Sequence, residues 1–184
     1  MRHILLVTSV AVSLAACSHK PKAETTTEAA PAPVIVPTKA QAVLKAGAGT
    51  KIKGIIHFTE ENGKMKIETL VDGLKAGPHG FHIHETGDCS KADFTSAGGH
   101  FNPSHGEHGS MSSAKKHVGD LGNLIADSKK KANTTIVVEG MTMKPGADSI
   151  IGKAVIIHKD KDDLKSQPAG NAGARIACGV IEAL

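Results

Sequence analysis

The chain has 184 residues, a formal charge of +4, no Trp or Tyr, and aromatic residues at only 2%. Part of that charge lies in the N-terminal segments, and no basic stripe interleaved with stacking aromatics follows, which argues against nucleic-acid binding. Past the first dozen or so residues, no apolar run approaches the roughly 20 residues that a membrane-spanning helix needs.

The chain opens on "MRHILLVTSVAVSLAAC", with a basic start at Arg2, an apolar run from Ile4 to Val12 and small residues before Cys17. That layout predicts a signal peptide over residues 1–16. The ending "LAAC" resembles a bacterial lipobox, which makes Cys17 a lipidation site; an ordinary signal peptide cleaved nearby is the alternative. Residues 17–40 then read as the lipidated Cys and a flexible tether, rich in Pro, Ala, Thr and charge and without apolar periodicity. The expected location is the cell envelope or periplasm of a bacterium, with the chain lipid-anchored to a membrane. Residues 41–184 have the length of one domain.

Within that domain the predicted elements are short strands. "AVLKA" near residue 43 is followed by "KIKGIIHFTE", by the tight-turn pair Asn62-Gly63, and by "KMKIETLV" with Met65, Ile67, Thr69 and Val71 alternating on one side. Further strands are expected at Gly80–Glu85, about Gly119–Asp127, "TTIVVEG", "AVIIHKD" and "ARIACGVIE". About eight strands with no helical pattern argue an all-β sandwich or barrel. One segment breaks the rhythm: Thr86 to His117, roughly thirty residues rich in Gly, Ser and His, a length that in a compact domain is usually functional.

Of the 11 histidines, His3 and His19 fall in the leader and tether, and His57 has no ligand types near it. The other eight lie in "GPHGFHIHE", "GGHFNPSHGEHG", "KKHVGDLGN" and "IIHKDKDD". In "GFHIHE", alternation puts His82 and His84 on one strand face and Phe81 and Ile83 on the other. His117 and Asp120 reach a common ion across a tight turn if Gly119 supplies backbone freedom. Imidazoles joined by one carboxylate and no thiolate select zinc, copper or both. With Cys17 assigned to lipid, Cys89 and Cys178 remain as an even pair. In an exported domain that suggests a disulfide. It would close a loop of about ninety residues, for which chain entropy gives roughly 4–5 kcal/mol.

The stretches "GFHIHE", "GGHFNP", "HVGDLGN", "GNAGARIACGVI" and the isolated His of "IIHKDKDD" occur, in this order, as in the copper–zinc superoxide dismutases, and nearly all of residues 41–184 resembles that family. The resemblance implies an eight-stranded Greek-key β-sandwich or barrel of immunoglobulin-like type with a long metal-binding loop. It implies copper held by His82, His84, His100 and His158, with zinc held by His100, His108, His117 and Asp120, so that His100 serves both. His105 is a rival to His108, because both lie in "PSHGEH". Asp162 matches a carboxylate that links a copper His to a zinc His from behind. Cys89 and Cys178 match the family disulfide, and Arg175 a cation beside the copper that, with His100, takes part in catalysis. His79 is expected to hydrogen-bond backbone rather than bind metal. The implied reaction is dismutation of superoxide to dioxygen and hydrogen peroxide, with superoxide as the small-molecule partner and a homodimer as an open possibility. Lys161 and Lys165 are candidates for extending the attractive field. The stretch from His158 to Arg175 is shorter than in many eukaryotic relatives. A carrier that buffers or delivers copper or zinc without turnover is the competing reading, although it would need neither His100 as a bridge nor Arg175.

Overall fold

The computed structural model describes residues 36–184; the leader, Cys17 and most of the tether lie outside them. Nine antiparallel strands follow: β1 Lys39–Val43, β2 Lys45–Ala46, β3 Lys53–Glu61, β4 Lys64–Asp72, β5 Gly77–His84, β6 Asp120–Ala126, β7 Lys131–Val138, β8 Ala154–His158 and β9 Arg175–Ala183. The strand β2 continues β1 past Leu44, so the eight expected strands are all present. The one helical element among the described residues is a single 3-10 turn at Thr95–Ala97. Because β1 begins at Lys39 and Ala40 is fully buried, Lys39 and Ala40 are strand rather than tether.

The strands are ordered β6-β5-β8-β9-β1-β3-β4-β7. The turn from β6 to β7 joins the two ends of that path, giving a nearly closed eight-stranded Greek-key barrel. Asn62 and Gly63 take φ of 51° and 74°, the left-handed pair that a two-residue hairpin between β3 and β4 requires. Met65, Ile67, Thr69 and Val71 are all buried, as their alternation predicts. Each large apolar side chain fully removed from water contributes about 1.5–3 kcal/mol, and Ile56, Phe58, Ile67, Phe81 and Ile83 do so in one interior cluster.

The strand β8 is buried along its whole length because it is covered on both sides. Val155 and Ile157 point into the barrel, whereas Ala154 and Ile156 pack outward with Phe94, Ala97 and Cys178. The long loop after β5 is thus held partly by a small apolar core of its own, not by its histidines alone. The disulfide Cys89–Cys178, with Cα atoms 5.8 Å apart, pins the same loop to β9.

Candidate metal centre

The centre grows out of one register. β5 pairs with β8 so that His82 lies opposite Ile156 and His84 opposite Ala154. Phe81 and Ile83 are packed in the barrel interior. Pleating therefore turns both imidazoles outward under the loop. His158 ends β8 on the same face as Ala154 and Ile156, and an isolated bridge between His84 and His100 brings in the loop. His82, His84, His100 and His158 are all buried, and each offers a ligand atom within 4.8 Å of the others.

Each ring is oriented by a bond from its far nitrogen. His82 Nε2 donates to Asp162 Oδ2 at 2.7 Å, His84 Nδ1 to Gly98 O at 3.0 Å and His158 Nδ1 to Gly173 O at 3.1 Å. That leaves His82 Nδ1, His84 Nε2, His100 Nε2 and His158 Nε2 buried with no hydrogen-bond partner. Buried polar atoms are rarely left so. Four inward-facing imidazole nitrogens, each with its other nitrogen anchored, fit a metal of the copper or zinc type. Burial pushes His82 down to about 4 and His158 to about 3, and holds His84 well below its usual value, so these rings are neutral at pH 7. Only the neutral ring has a free nitrogen lone pair to offer a metal.

A second set shares His100. Its Nδ1 lies 2.8 Å from Asp120 Oδ1, the same oxygen that meets His108 Nδ1 at 2.9 Å and His117 Nδ1 at 3.2 Å. His117 Nδ1 is 3.3 Å from His100 Nδ1. Tetrahedral donors at the usual zinc distances of about 2.0–2.1 Å sit roughly 3.3 Å apart, close to this spacing. The other Asp120 oxygen accepts from Gly109 N at 3.0 Å and His117 N at 2.9 Å. Burial alone would raise the Asp120 carboxyl, but hydrogen bonds from His100 and Gly109 and the charge of the imidazoles hold it far below its usual range. His108 is pushed down by burial yet ends above its ordinary value, because the Asp162 and Asp120 carboxylates outweigh that effect. Asp162, fully buried, takes His82 on one oxygen and His108 Nε2 on the other at 3.0 Å, which links the two sets from behind.

The structure brings every predicted ligand together and separates the rivals. His105 is exposed at φ 53°, while His108 is 4% exposed and belongs to the second set. His79 has Nδ1 2.9 Å from His158 O and Nε2 2.7 Å from Lys75 O, so both its nitrogens are engaged by backbone. Gly119 differs from expectation in its reason. It is not in the left-handed region; a β-carbon there would overlap Ile83 O, where the loop presses onto β5. Space, not conformational freedom, requires glycine. Arg175 extends Nη1 to Phe94 O at 2.7 Å and Nη2 to Gly98 O at 2.6 Å, the second being the carbonyl that orients His84. Sequence reasoning missed Asn123, whose amide grips the backbone of Asp162 at 2.8 and 3.0 Å, and Gln167, which does the same to His108. Neither residue carries a spacing signal.

The pKa shifts predict acid sensitivity of the metal-free protein. His82, His84 and His158 bind protons more weakly folded than unfolded, so stability is lost as pH falls from about 6.5 toward 4. Asp120 and Asp162, both depressed, extend the loss at lower pH, and His108, raised, opposes it on the acid side. The thermal midpoint of the metal-free chain is expected to fall between pH 7 and pH 4; a rising midpoint would contradict this assignment.

A nearly closed antiparallel barrel that carries two donor sets joined through one histidine ring defines an all-β binuclear metalloprotein. The model of the family described as copper/zinc superoxide dismutase (SODC) matches residues 52–181. The chain belongs to the copper/zinc superoxide dismutase family and is an enzyme of that type, with copper and zinc as cofactors. "Superoxide dismutase [Cu-Zn] 4" of Dictyostelium discoideum is 42% identical over 72% of this chain and 92% of its own length. "Superoxide dismutase [Cu-Zn]" of Paramecium bursaria Chlorella virus 1 is 43% identical over 80% of each. Among solved structures, "Crystal Structure Analysis of the clock protein EA4" aligns with a TM-score of 0.76 at 39% identity, covering 84% of this chain and all of that one.

Proposed function

We propose that His82, His84, His100 and His158 would hold copper, that His100, His108, His117 and Asp120 would hold zinc, and that the chain so loaded dismutes superoxide in the cell envelope. The observation that carries the reading is His100, which turns Nε2 to one donor set and Nδ1 to the other. Bound copper supplies the one-electron couple, and bound zinc supplies a fixed charge without redox chemistry. The chain's own residues do the rest. Arg175 is a permanent cation that draws in the superoxide anion and hydrogen-bonds it. His100 Nε2 takes up a proton in the half-reaction that yields dioxygen and gives it up in the half-reaction that yields hydrogen peroxide. Two superoxide anions and two protons thus give one dioxygen and one hydrogen peroxide.

An open groove of about 840 Å³ beside Arg175 is lined by Lys51, Lys75, Lys130 and Lys159 against Asp93 and Asp160. Lys161 and Lys165 are exposed and do not line it.

The envelope location is supported by the leader-like start, by the lipobox-like "LAAC" at Cys17, and by a disulfide of the kind that persists in oxidising compartments. The deciding experiment loads the full chain with copper and zinc, then measures metal content and dismutation together. Turnover with one copper and one zinc per chain is expected, with zinc lost in His108→Ala and kept in His105→Ala. Full loading without turnover would favour a metal carrier instead.

A further inference from the structure

The segment from His158 to Arg175 hydrogen-bonds to His108 of the second donor set through two residues. One contact is the Asp162 carboxylate on the His108 ring. The other is Gln167, whose side-chain amide lies along the backbone of the same histidine. Gln167 Oε1 accepts from His108 N at 2.7 Å, and Gln167 Nε2 donates to His108 O at 3.0 Å. No other hydrogen-bond partner for either backbone group occurs among the described residues. The pattern is the two-bond pairing that a neighbouring strand would make, supplied here by one side chain.

His108 needs it more than its fellow ligands do. His100 is bridged to β5 through His84, and His117 is tied by its own N–H to Asp120 at 2.9 Å. His108 lies outside any strand, three residues past the left-handed His105 and next to the exposed Glu107. Without the amide, the backbone at His108 would be held only from its C-terminal side, by Gly109 N–H on Asp120 Oδ2 at 3.0 Å, and the ring contacts to Asp120 and Asp162 would have to place the residue as well as orient the ring. Fixing the backbone separately removes freedom that an incoming ion would otherwise have to freeze out.

We propose that Gln167 is a positioning residue for the zinc site, holding the His108 backbone so that the ring is placed before metal arrives. The proposal rests on the reading of the second donor set as the zinc site. Supporting contacts behind ligands typically change metal affinity by about 10–100-fold, and an amide acting through the backbone belongs at the lower end.

The test uses the full chain and Gln167→Ala, with zinc affinity measured by competition against a chromophoric chelator. A fall of about tenfold is expected, together with changed visible bands when cobalt(II) replaces zinc. Copper content and the thermal midpoint of the metal-free protein should stay as in the parent. Gln167→Glu keeps an acceptor for the His108 N–H and loses the donor, so its affinity should fall between the two. Unchanged zinc affinity in Gln167→Ala would overturn the proposal. An equal loss of thermal stability in the metal-free and zinc-loaded forms would also overturn it, since that marks a general structural contact. The parent chain is the control for the underlying reading: if it takes up no zinc that His108→Ala abolishes, the site assignment itself fails.

Discussion

Arg175→Ala is expected to lower the rate of superoxide dismutation by about 10- to 100-fold at low ionic strength, the lower part of the roughly 10–1000-fold range over which a focused charge accelerates encounter, with copper and zinc content unchanged. The guanidinium belongs to neither donor set, so its loss removes no ligand. Its charge nonetheless reaches the centre: besides burial and the neighbouring rings, Arg175 is among the influences that depress His84 and His158. Two of its five N–H donors hold Phe94 O and Gly98 O. The remaining donors are available to an anion, in a planar array suited to two-point recognition. Arg175→Lys keeps the charge and loses the fork; it should retain most of the salt dependence and only part of the rate. Stopped-flow decay of superoxide across a salt series, with metal analysis of each variant, separates these effects. A rate equal to the parent at low salt would remove Arg175 from the reaction.

Asp162→Asn is expected to weaken zinc binding by about 10–100-fold and to loosen copper as well, because one carboxylate serves both rings. Its oxygens accept from His82 Nε2 at 2.7 Å, His108 Nε2 at 3.0 Å and Leu164 N at 2.7 Å. Asn has nearly the same shape but turns one acceptor into a donor. One imidazole N–H then faces an N–H in a buried site, where an unmatched polar group costs about 1–3 kcal/mol. The ring that loses its partner no longer has its tautomer set, so its metal-facing nitrogen is no longer guaranteed a lone pair. Equilibrium dialysis against zinc and against copper reads both consequences. Parent-like affinity for both metals would show that the carboxylate is not what holds the rings.

The barrel was legible because its strands carry a period of two: Met65, Ile67, Thr69 and Val71 on β4 face inward, and Phe81 and Ile83 on β5 do the same while releasing His82 and His84 to the other side. The residues of the two donor sets were legible because their histidines cluster in short stretches that stand in family order. His105 and His108 were not separable by sequence. What separates them is burial, decided by the path of a loop whose geometry local propensity does not encode. The contacts that organise the ligands were less visible still. Gly98 O and Gly173 O are backbone atoms, and Asn123 and Gln167 grip backbone far away in the chain. Such pairings depend on the tertiary arrangement and leave no periodic trace. The Gly119 requirement was visible as a residue but not as a reason, since close approach to Ile83 O exists only once the loop lies on β5.

The origin of the first donor set also has a consequence for timing. Its nitrogens come from β5, from the loop and from the last residue of β8, and β8 is the late strand that docks beside β5 with the whole loop and two further strands intervening in the chain. Contacts between such distant segments form late, after the entropy of closing the intervening chain has been overcome. A chain in which β8 has not yet docked therefore lacks the His158 nitrogen and cannot complete the set. The four-nitrogen set comes into being together with the closed barrel, so an unfinished protein presents no complete first donor set.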